Sequence, residues 1–512
     1  MAHSPAVEET PRTGYPAAVE AWLDRPLAPW GCALGWVVAT FVFVGLVQLA
    51  GGPSMGDDYV STVPTWAIAH GQLVCAYPPG AVLAAPLYPF VSGAIAAAGR
   101  IGHGVPFPSA AALGPRCDHA FGAISAWGFR AGAVAPTLRI GYTAWVVLLA
   151  GAVAVLRACG RGRRRWEPFT LLVLACLPPV WLCLENFFHP QDVLAMGLAL
   201  VSVACARRGS WVAAGVAVAL AALAQQFALL VAAPLLVLAP ARSRWSYAGS
   251  AAGTALVALV TLQWAASGSA VHAVLVGTGD AAGNGTVVSG LHLHGAALLV
   301  VARLTPLVLA VVLAWWVRQR MGRAALEAVP LLSLVALCLC LRLVFDQYSH
   351  GYYYMALAVT LVLLDVAAGH VRGSLVAWLL LVSVVFVVGG TTSFLVLFRV
   401  PWGHDVDQLL PPLVAALGAA VAGVLSWRGR RDARIVPWLA LALGALLAWP
   451  SSLNHIGLRF TSVFWQIVLV LAGLALAATP LLHAVAEPRR HPSPSSARGV
   501  SAGAAWRDGI LR

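Results

Sequence analysis

Two adjacent carboxylates, Asp57 and Asp58, follow directly on the first long apolar run of the chain, in the stretch "GGPSMGDDYVSTVPTWAIAHGQLVCAYPPG". Adjacent carboxylates can divide labour. One, its pKa raised by its neighbour, can take a proton as general base, while the other orients a sugar hydroxyl or a cation. A helix N-cap would need only one of them. A second group, "LENFFHPQDVLAMGLAL", sets Glu185, His189, Gln191 and Asp192 in a tight turn, with His189-Pro190 fixing the start of the next helix. Capping chemistry and the helix dipole also favour a carboxylate at Asp192. A third group, "LRLVFDQYSHGYYYMAL", gathers Arg342, Asp346, His350, Tyr352, Tyr353 and Tyr354. Arg342 either pairs with Asp346 one helical turn on or grips a phosphate with its planar fork of donors. The tyrosines offer flat, amphipathic faces suited both to sugars and to a membrane interface. No zinc-ligand spacing, nucleophile elbow or phosphate-cradling glycine loop accompanies these groups.

Membrane helices must position them. The 512 residues are 60% hydrophobic and 10% charged, and apolar runs of spanning length recur from residue 32 to residue 482. That pattern predicts an all-α, polytopic transmembrane bundle. The net charge of +13 comes from arginine alone, for the chain has no lysine. The arginines punctuate hydrophobic segments in short loops such as "RGRRRW" and "RGRRDAR", where they mark the cytoplasmic side. They are not gathered on one face among exposed aromatics, which speaks against a nucleic-acid partner. Spans are expected near 32–51, 138–157, 167–184, 190–206, 211–225, 227–241, 246–266, 295–317, 325–343, 352–369, 374–397, 408–426, 433–450 and 459–482, about 12–14 in all. With the N-terminus inside, the loops at 158–166, 207–210, 242–245, 318–323, 370–373 and 427–432 fall in the cytoplasm and all carry arginine. The run from Ser210 to Trp245 is too long for one comfortable span. Splitting it at Gln225-Gln226 gives two short helices meeting near the outer face, because two amides in mid-membrane are costly; a single tilted helix is the alternative.

Residues 1–28 form a cytoplasmic N-terminal segment without the apolar core and cleavage site of a signal peptide. Residues 29–484 form one transmembrane domain, and 485–512, rich in Pro, Ser and Arg, a disordered cytoplasmic tail. The first outer loop, about 52–137, is the longest, and its segment "PPGAVLAAPLYPFVSGAIAAAG" reads as surface helices or as a hairpin dipping into the membrane. Acidic residues and histidines collect at the outer ends of the spans; Arg303, inside a span, is the exception. Isolated acids such as Asp118 and Asp280 fit a solvated surface equally well. Cys75 and Cys117 lie together in the outer loop, while the other seven cysteines sit in or beside apolar spans. A disulfide between these two would staple the loop in an oxidising compartment, with two free thiols as the alternative. The paired carboxylates are compatible with a divalent cation without demanding one, and no other cofactor is called for.

The Asp-containing stretch after the first span, then "GQLVCAYPPG", then "HPQDVLAMGLALVSVACARRGSWVAAGVAVALAALAQQFALLVAAPLLVL" resemble the polyprenyl-phosphate-dependent glycosyltransferases of the type C membrane fold, in particular their actinobacterial mannosyltransferase-like branch. The turn "FDQYSHGYYYMAL" is similar to a late outer turn of such proteins, and the resemblance covers most of residues 30 to 370. It implies transfer of a sugar, of mannose or arabinofuranose type, from a polyprenyl-phosphate donor to a glycan or glycolipid acceptor on the outer leaflet of the plasma membrane, with inversion. The family's catalytic base is an Asp in the first outer loop. That role falls on Asp58 or Asp57, with Asp58 favoured because it stands closer to the loop helix expected from Tyr59. Arg342, His350, Tyr353, His189, Asp192 and Gln225 are then the candidate donor phosphate and sugar contacts. At Gln225 the chain departs from the pattern, since related sequences often carry Lys there. Neutralising the donor phosphate would pass to Arg342, or to outer arginines such as Arg399 and Arg459.

The residues support the same location independently. A sugar on a polyprenyl chain needs an apolar groove for its tail, leading to a carboxylate at the interface. Inverting displacement needs one base, because a phosphate stabilised by cations is already a good leaving group, unlike the alkoxide of glycoside hydrolysis. A multi-span transporter or flippase is the competing class, one that tends to carry internal repeats and midplane charges; no repeat is evident here. A family member that has lost catalysis is the third reading.

Overall fold

The computed structural model describes residues 15–50, 58–78, 83–185, 188–266, 293, 295–346, 351–376, 378–379, 382 and 458–486. Its elements are helices, with no strand among the described residues. Helices α1 (Tyr15–Leu23) and α2 (Pro29–Ala50) are followed by four in the long loop, α3 (Asp58–Ala69), α4 (Leu87–Ala98), α5 (Ala110–Leu113) and α6 (Ala120–Arg130). Then come α7 (Val134–Gly141), α8 (Thr143–Ala158), α9 (Trp166–Ala175), α10 (Pro178–Glu185), α11 (Pro190–Arg207), α12 (Trp211–Ala224), α13 (Leu229–Leu238) and α14 (Ala241–Ala266). The last are α15 (Gly295–Leu299), α16 (Thr305–Met321), α17 (Ala328–Phe345), α18 (Tyr354–Ala368) and α19 (Leu458–Ala486). Among the described residues, six segments are long and apolar enough to cross a membrane: Pro29–Val47, Val134–Ala158, Ala241–Trp264, Val300–Leu326, Ala328–Phe345 and Leu469–Ala486, with shorter apolar helices between them.

Among the described residues, the expected span 167–184 is not one continuous helix. The run 167–184 is two helices, α9 and α10, broken after Ala175. Pro178 and Pro179 cause the break, because neither has an N–H to donate and a proline disfavours helix at the residue before it. The expected spans 408–426 and 433–450, most of 374–397, the tail from 487 and Asp280 lie outside the described residues. Asp118 is exposed and pairs with His119 at 3.8 Å.

Hydrogen bonds sort the helix ends. Arg207, closing α11, donates to Leu326 O at 2.8 Å and Ala158 O at 3.3 Å, which joins the ends of α11 and α8 to the start of α17. The start of α2 meets the same region through Leu27 N to Arg163 O at 2.8 Å, and Arg165 N donates to Arg25 O at 3.1 Å. Arg318, closing α16, reaches the carbonyls of Val237 and Ala239 at the end of α13. All these contacts are made by arginines of the short loops, so one end of the bundle is the arginine end.

That geometry also resolves the Gln225 segment. Helix α12 leaves the arginine end beside α11, and α13 returns to it at Val237, so the segment is a two-pass hairpin and not one tilted helix. With 14 residues, α12 rises only about 21 Å, short of the roughly 30 Å of hydrocarbon. The turn at Gln225 is therefore recessed within the bundle and does not reach the outer face as expected, because α12 is too short.

Helix α11 is placed by close packing against α8. A Cβ on Gly151 would stand 2.3 Å from the Gly197 carbonyl oxygen, and one on Gly197 would stand 2.7 Å from the Val147 backbone. Small residues let the two backbones touch, and such close packing is one of the forces that associate helices in lipid. Gly197→Val is expected to cost about 3 kcal/mol, read as a lowered thermal midpoint of the detergent-solubilised protein. An unchanged midpoint would contradict this packing.

The long loop folds over the end opposite the arginines. Trp66, on α3, donates to Thr137 Oγ1 at 2.7 Å and meets Trp127 edge to face at 5.9 Å. Cys75 and Cys117 are joined as a disulfide.

Candidate active site

Asp192 sits in the first turn of α11, where Pro190 starts the helix without needing a donor, and it is 1% exposed. A buried carboxylate must be paired. One oxygen accepts from Arg342 Nη2 at 3.4 Å, and the other from Gln225 Nε2 at 3.2 Å. Arg342, in the last turn of α17, also donates from Nε to Asp346 Oδ2 at 3.2 Å. The local pair one helical turn apart and a contact across 150 residues of sequence therefore coexist. Two rings flank the guanidinium, whose central carbon lies 4.6 Å from the Phe227 centroid and 4.3 Å from that of Tyr353. Aromatic faces there replace water over the planar cation.

Gln225 is the keystone of the hairpin. Its backbone is extended, and its side-chain oxygen accepts from Gln226 N at 3.1 Å, capping the 3₁₀ turn Gln226–Ala228. Its amide nitrogen remains for Asp192. One neutral side chain thus satisfies a broken backbone inside the bundle and a buried carboxylate at once.

The His-Pro-Gln-Asp turn connects this cluster to the long loop. Ser61 Oγ donates to Gln191 Oε1 at 3.0 Å, which turns the Gln191 amide nitrogen toward His189 Nδ1, 2.9 Å away. Nδ1 must then accept, so the network assigns the proton of the neutral imidazole to Nε2. Asp192 Oδ2, at 3.6 Å from the same nitrogen, is too far for a hydrogen bond. The His189 ring stacks on Tyr352 with centroids 4.4 Å apart. Ser61 lies one turn after Asp58, the first residue of α3. Asp58 is therefore carried by the helix that is bonded directly to the buried cluster.

Arg303 lies on a π-helical turn, Val300–Leu304, just before Pro306. A proline supplies no N–H, so the preceding ladder loses a bond and shifts to the wider spacing; such turns recur at functional sites. Arg303 is close enough to Asp346 and Arg342 to feel both charges. It is half-buried and makes no hydrogen bond or ion pair among the described residues.

Of the site residues expected from sequence, His189, Asp192, Gln225, Arg342 and Tyr353 come together. Asp57, His350 and Arg399 lie outside the described residues, as do the side chains of Asp58, Glu185 and Arg459. Ser61 and Phe227 escape sequence reasoning. Ser61 is three residues on from Asp58 along an expected helix and could have been marked on that ground, whereas Phe227 carries no polar signal. Among the described residues no group of three His, Cys, Asp or Glu is placed to hold a metal ion.

Residues 129–343 match glycosyltransferase family 87. The matched segment contains His189, Asp192, Gln225, Arg303 and Arg342, and stops short of Asp346; Asp58 precedes it. No curated protein matches the chain. Two crystal structures of ArnT from Cupriavidus metallidurans are similar to it, one bound to undecaprenyl phosphate and one in the apo state. They share 15% and 14% identity, cover 89% and 88% of this chain and 78% of their own, and have TM-scores of 0.41 and 0.39.

Proposed function

We propose that the protein is a membrane glycosyltransferase that moves a sugar, of mannose or arabinofuranose type, from a polyprenyl-phosphate donor to a cell-envelope glycan or glycolipid, with inversion. The observation that carries this reading is the bond from Ser61 on α3, the helix begun by Asp58, to Gln191, the residue just before Asp192 at the start of α11. The match of the segment holding that cluster to a glycosyltransferase family supports it. The arginine end faces the cytoplasm with both termini, on the positive-inside rule, and the site faces outward across the plasma membrane. Asp58 takes the proton of the acceptor hydroxyl as its oxygen attacks the anomeric carbon. The bond from that carbon to the phosphate oxygen breaks, and polyprenyl phosphate leaves with one more negative charge. Asp57 supports the base, and His350, Tyr353 and His189 line the sugar. No cofactor is required, and a divalent cation is compatible.

Charge decides which cation meets the phosphate. Arg342 is already balanced by Asp192 and Asp346, so it holds the site together. Arg303 makes no ion pair among the described residues and lies near the cluster, and it stabilises the charge that grows on the leaving phosphate. Full-length protein in membranes given polyprenyl-phosphate sugars should transfer sugar, and Arg303→Gln should lower kcat about 100-fold, with Arg303→Lys recovering part of the loss. Substrate-dependent flux without transfer would point to a transporter instead.

A further inference from the structure

We infer that the arginine end of the bundle carries a binding site for an anionic phospholipid headgroup, formed by Arg244, Arg318 and Arg323. Two adjoining cavities of about 440 and 300 Å³ open there and share Arg318 and Gln319 in their walls. Arg244 lines the larger and Arg323 the smaller, and no Asp or Glu among the described residues lines either. The site is separate from the candidate active site, because α16 and α17 each run from one end of the bundle to the other, and the inference does not depend on the proposed activity.

Helix α13 fixes two of the arginines. Its final carbonyls lie just before Pro240, which has no N–H to offer. Arg244 instead donates to Ala239 O and Val237 O, both at 3.2 Å, and Arg318 reaches the same two carbonyls. Each guanidinium has five N–H donors, so both keep donors beyond this capping. Two cations are thereby held side by side, and Arg323, which makes no hydrogen bond or ion pair among the described residues, adds a third. Cations clustered without an acid beside apolar walls call for an anion.

The surroundings say which anion. Trp315, in the wall of the larger cavity, is 57% exposed, and Trp245, beside Arg244, is 84% exposed. Both stand near the ends of spanning helices, where tryptophan rings sit at headgroup level. Apart from Gln319, the rest of the larger cavity wall, Leu236 and Val237, is apolar. Basic pockets between helices at that level suit anionic headgroups, and an ammonium-bearing headgroup would bring a further cation to three arginines. The phosphodiester of a phospholipid such as phosphatidylglycerol therefore fits better than free phosphate.

The test uses the full-length protein in mild detergent, titrated separately with phosphatidylglycerol, phosphatidylcholine and inorganic phosphate, and read by native mass spectrometry and thermal midpoint. Phosphatidylglycerol should be retained and raise the midpoint, and the other two should do neither. Arg323→Gln, which removes no helix cap, and Arg244→Gln should each weaken retention about fivefold. Equal retention of the two lipids, the same protection from inorganic phosphate, or undiminished phosphatidylglycerol retention by Arg323→Gln would each overturn the inference.

Discussion

Asp58→Asn is expected to lower sugar transfer about 100- to 10,000-fold while donor binding persists. The amide keeps the shape of the side chain and leaves the Ser61–Gln191 bond in place, but it cannot accept the acceptor's proton. The loss should fall on kcat rather than KM, because the interaction removed belongs to the transition state. Wild-type kcat/KM should decline as pH falls through the pKa of the base, and that acid limb should vanish in the variant. Asp57→Asn, which removes only the orienting carboxylate, should cost less. Transfer by Asp58→Asn at the wild-type rate would remove Asp58 from the role of base, and a larger loss in Asp57→Asn would move the role to its neighbour.

Arg342→Met should destabilise the protein by about 3–5 kcal/mol, the largest effect on stability expected of any single substitution in the site. Asp192 is 1% exposed and would keep only the Gln225 amide, while Asp346 would lose its partner on α17. The two carboxylates would then lose the cation that bonds both of them. Asp192→Asn in the same background should recover much of the loss, since the amide carries no charge to strand. The measurement is the thermal midpoint of the single and double variants in detergent. Strictly additive losses would mean that Arg342 and Asp192 do not interact, whatever their separation. The pair also separates two roles within the site: Arg342 variants should fail in folding, and Arg303 variants in turnover.

Much of the architecture was legible because its causes are local. Arginine loops mark one end of the bundle because charge is excluded from hydrocarbon wherever it occurs. The break at Gln225-Gln226 was legible from the cost of two amides in an apolar run, although the turn lies recessed in the bundle and not near the outer face as expected, and the sequence left the disulfide between Cys75 and Cys117 open against two free thiols. The division of α9 from α10 had an equally local cause in Pro178-Pro179. There the continuous hydrophobicity masked a backbone signal that the sequence contained.

Residue types and local pattern thus determined the helices, their ends and the chemical groups at each end. Tertiary structure alone decided that Asp192, Gln225 and Arg342 form one site. Each had a sufficient local account: a helix dipole for Asp192, an amide kept out of mid-membrane for Gln225, a pair one turn away for Arg342. The dipole position and the Arg342–Asp346 pair are indeed present, yet they use only part of what the groups can bond. A carboxylate has two oxygens and a guanidinium five donors, and burial requires that much of the remainder be met. Which groups meet it depends on where α11 lies, and that is fixed by the backbone contact of Gly151 with Gly197, about one and a half turns along the helix from Asp192.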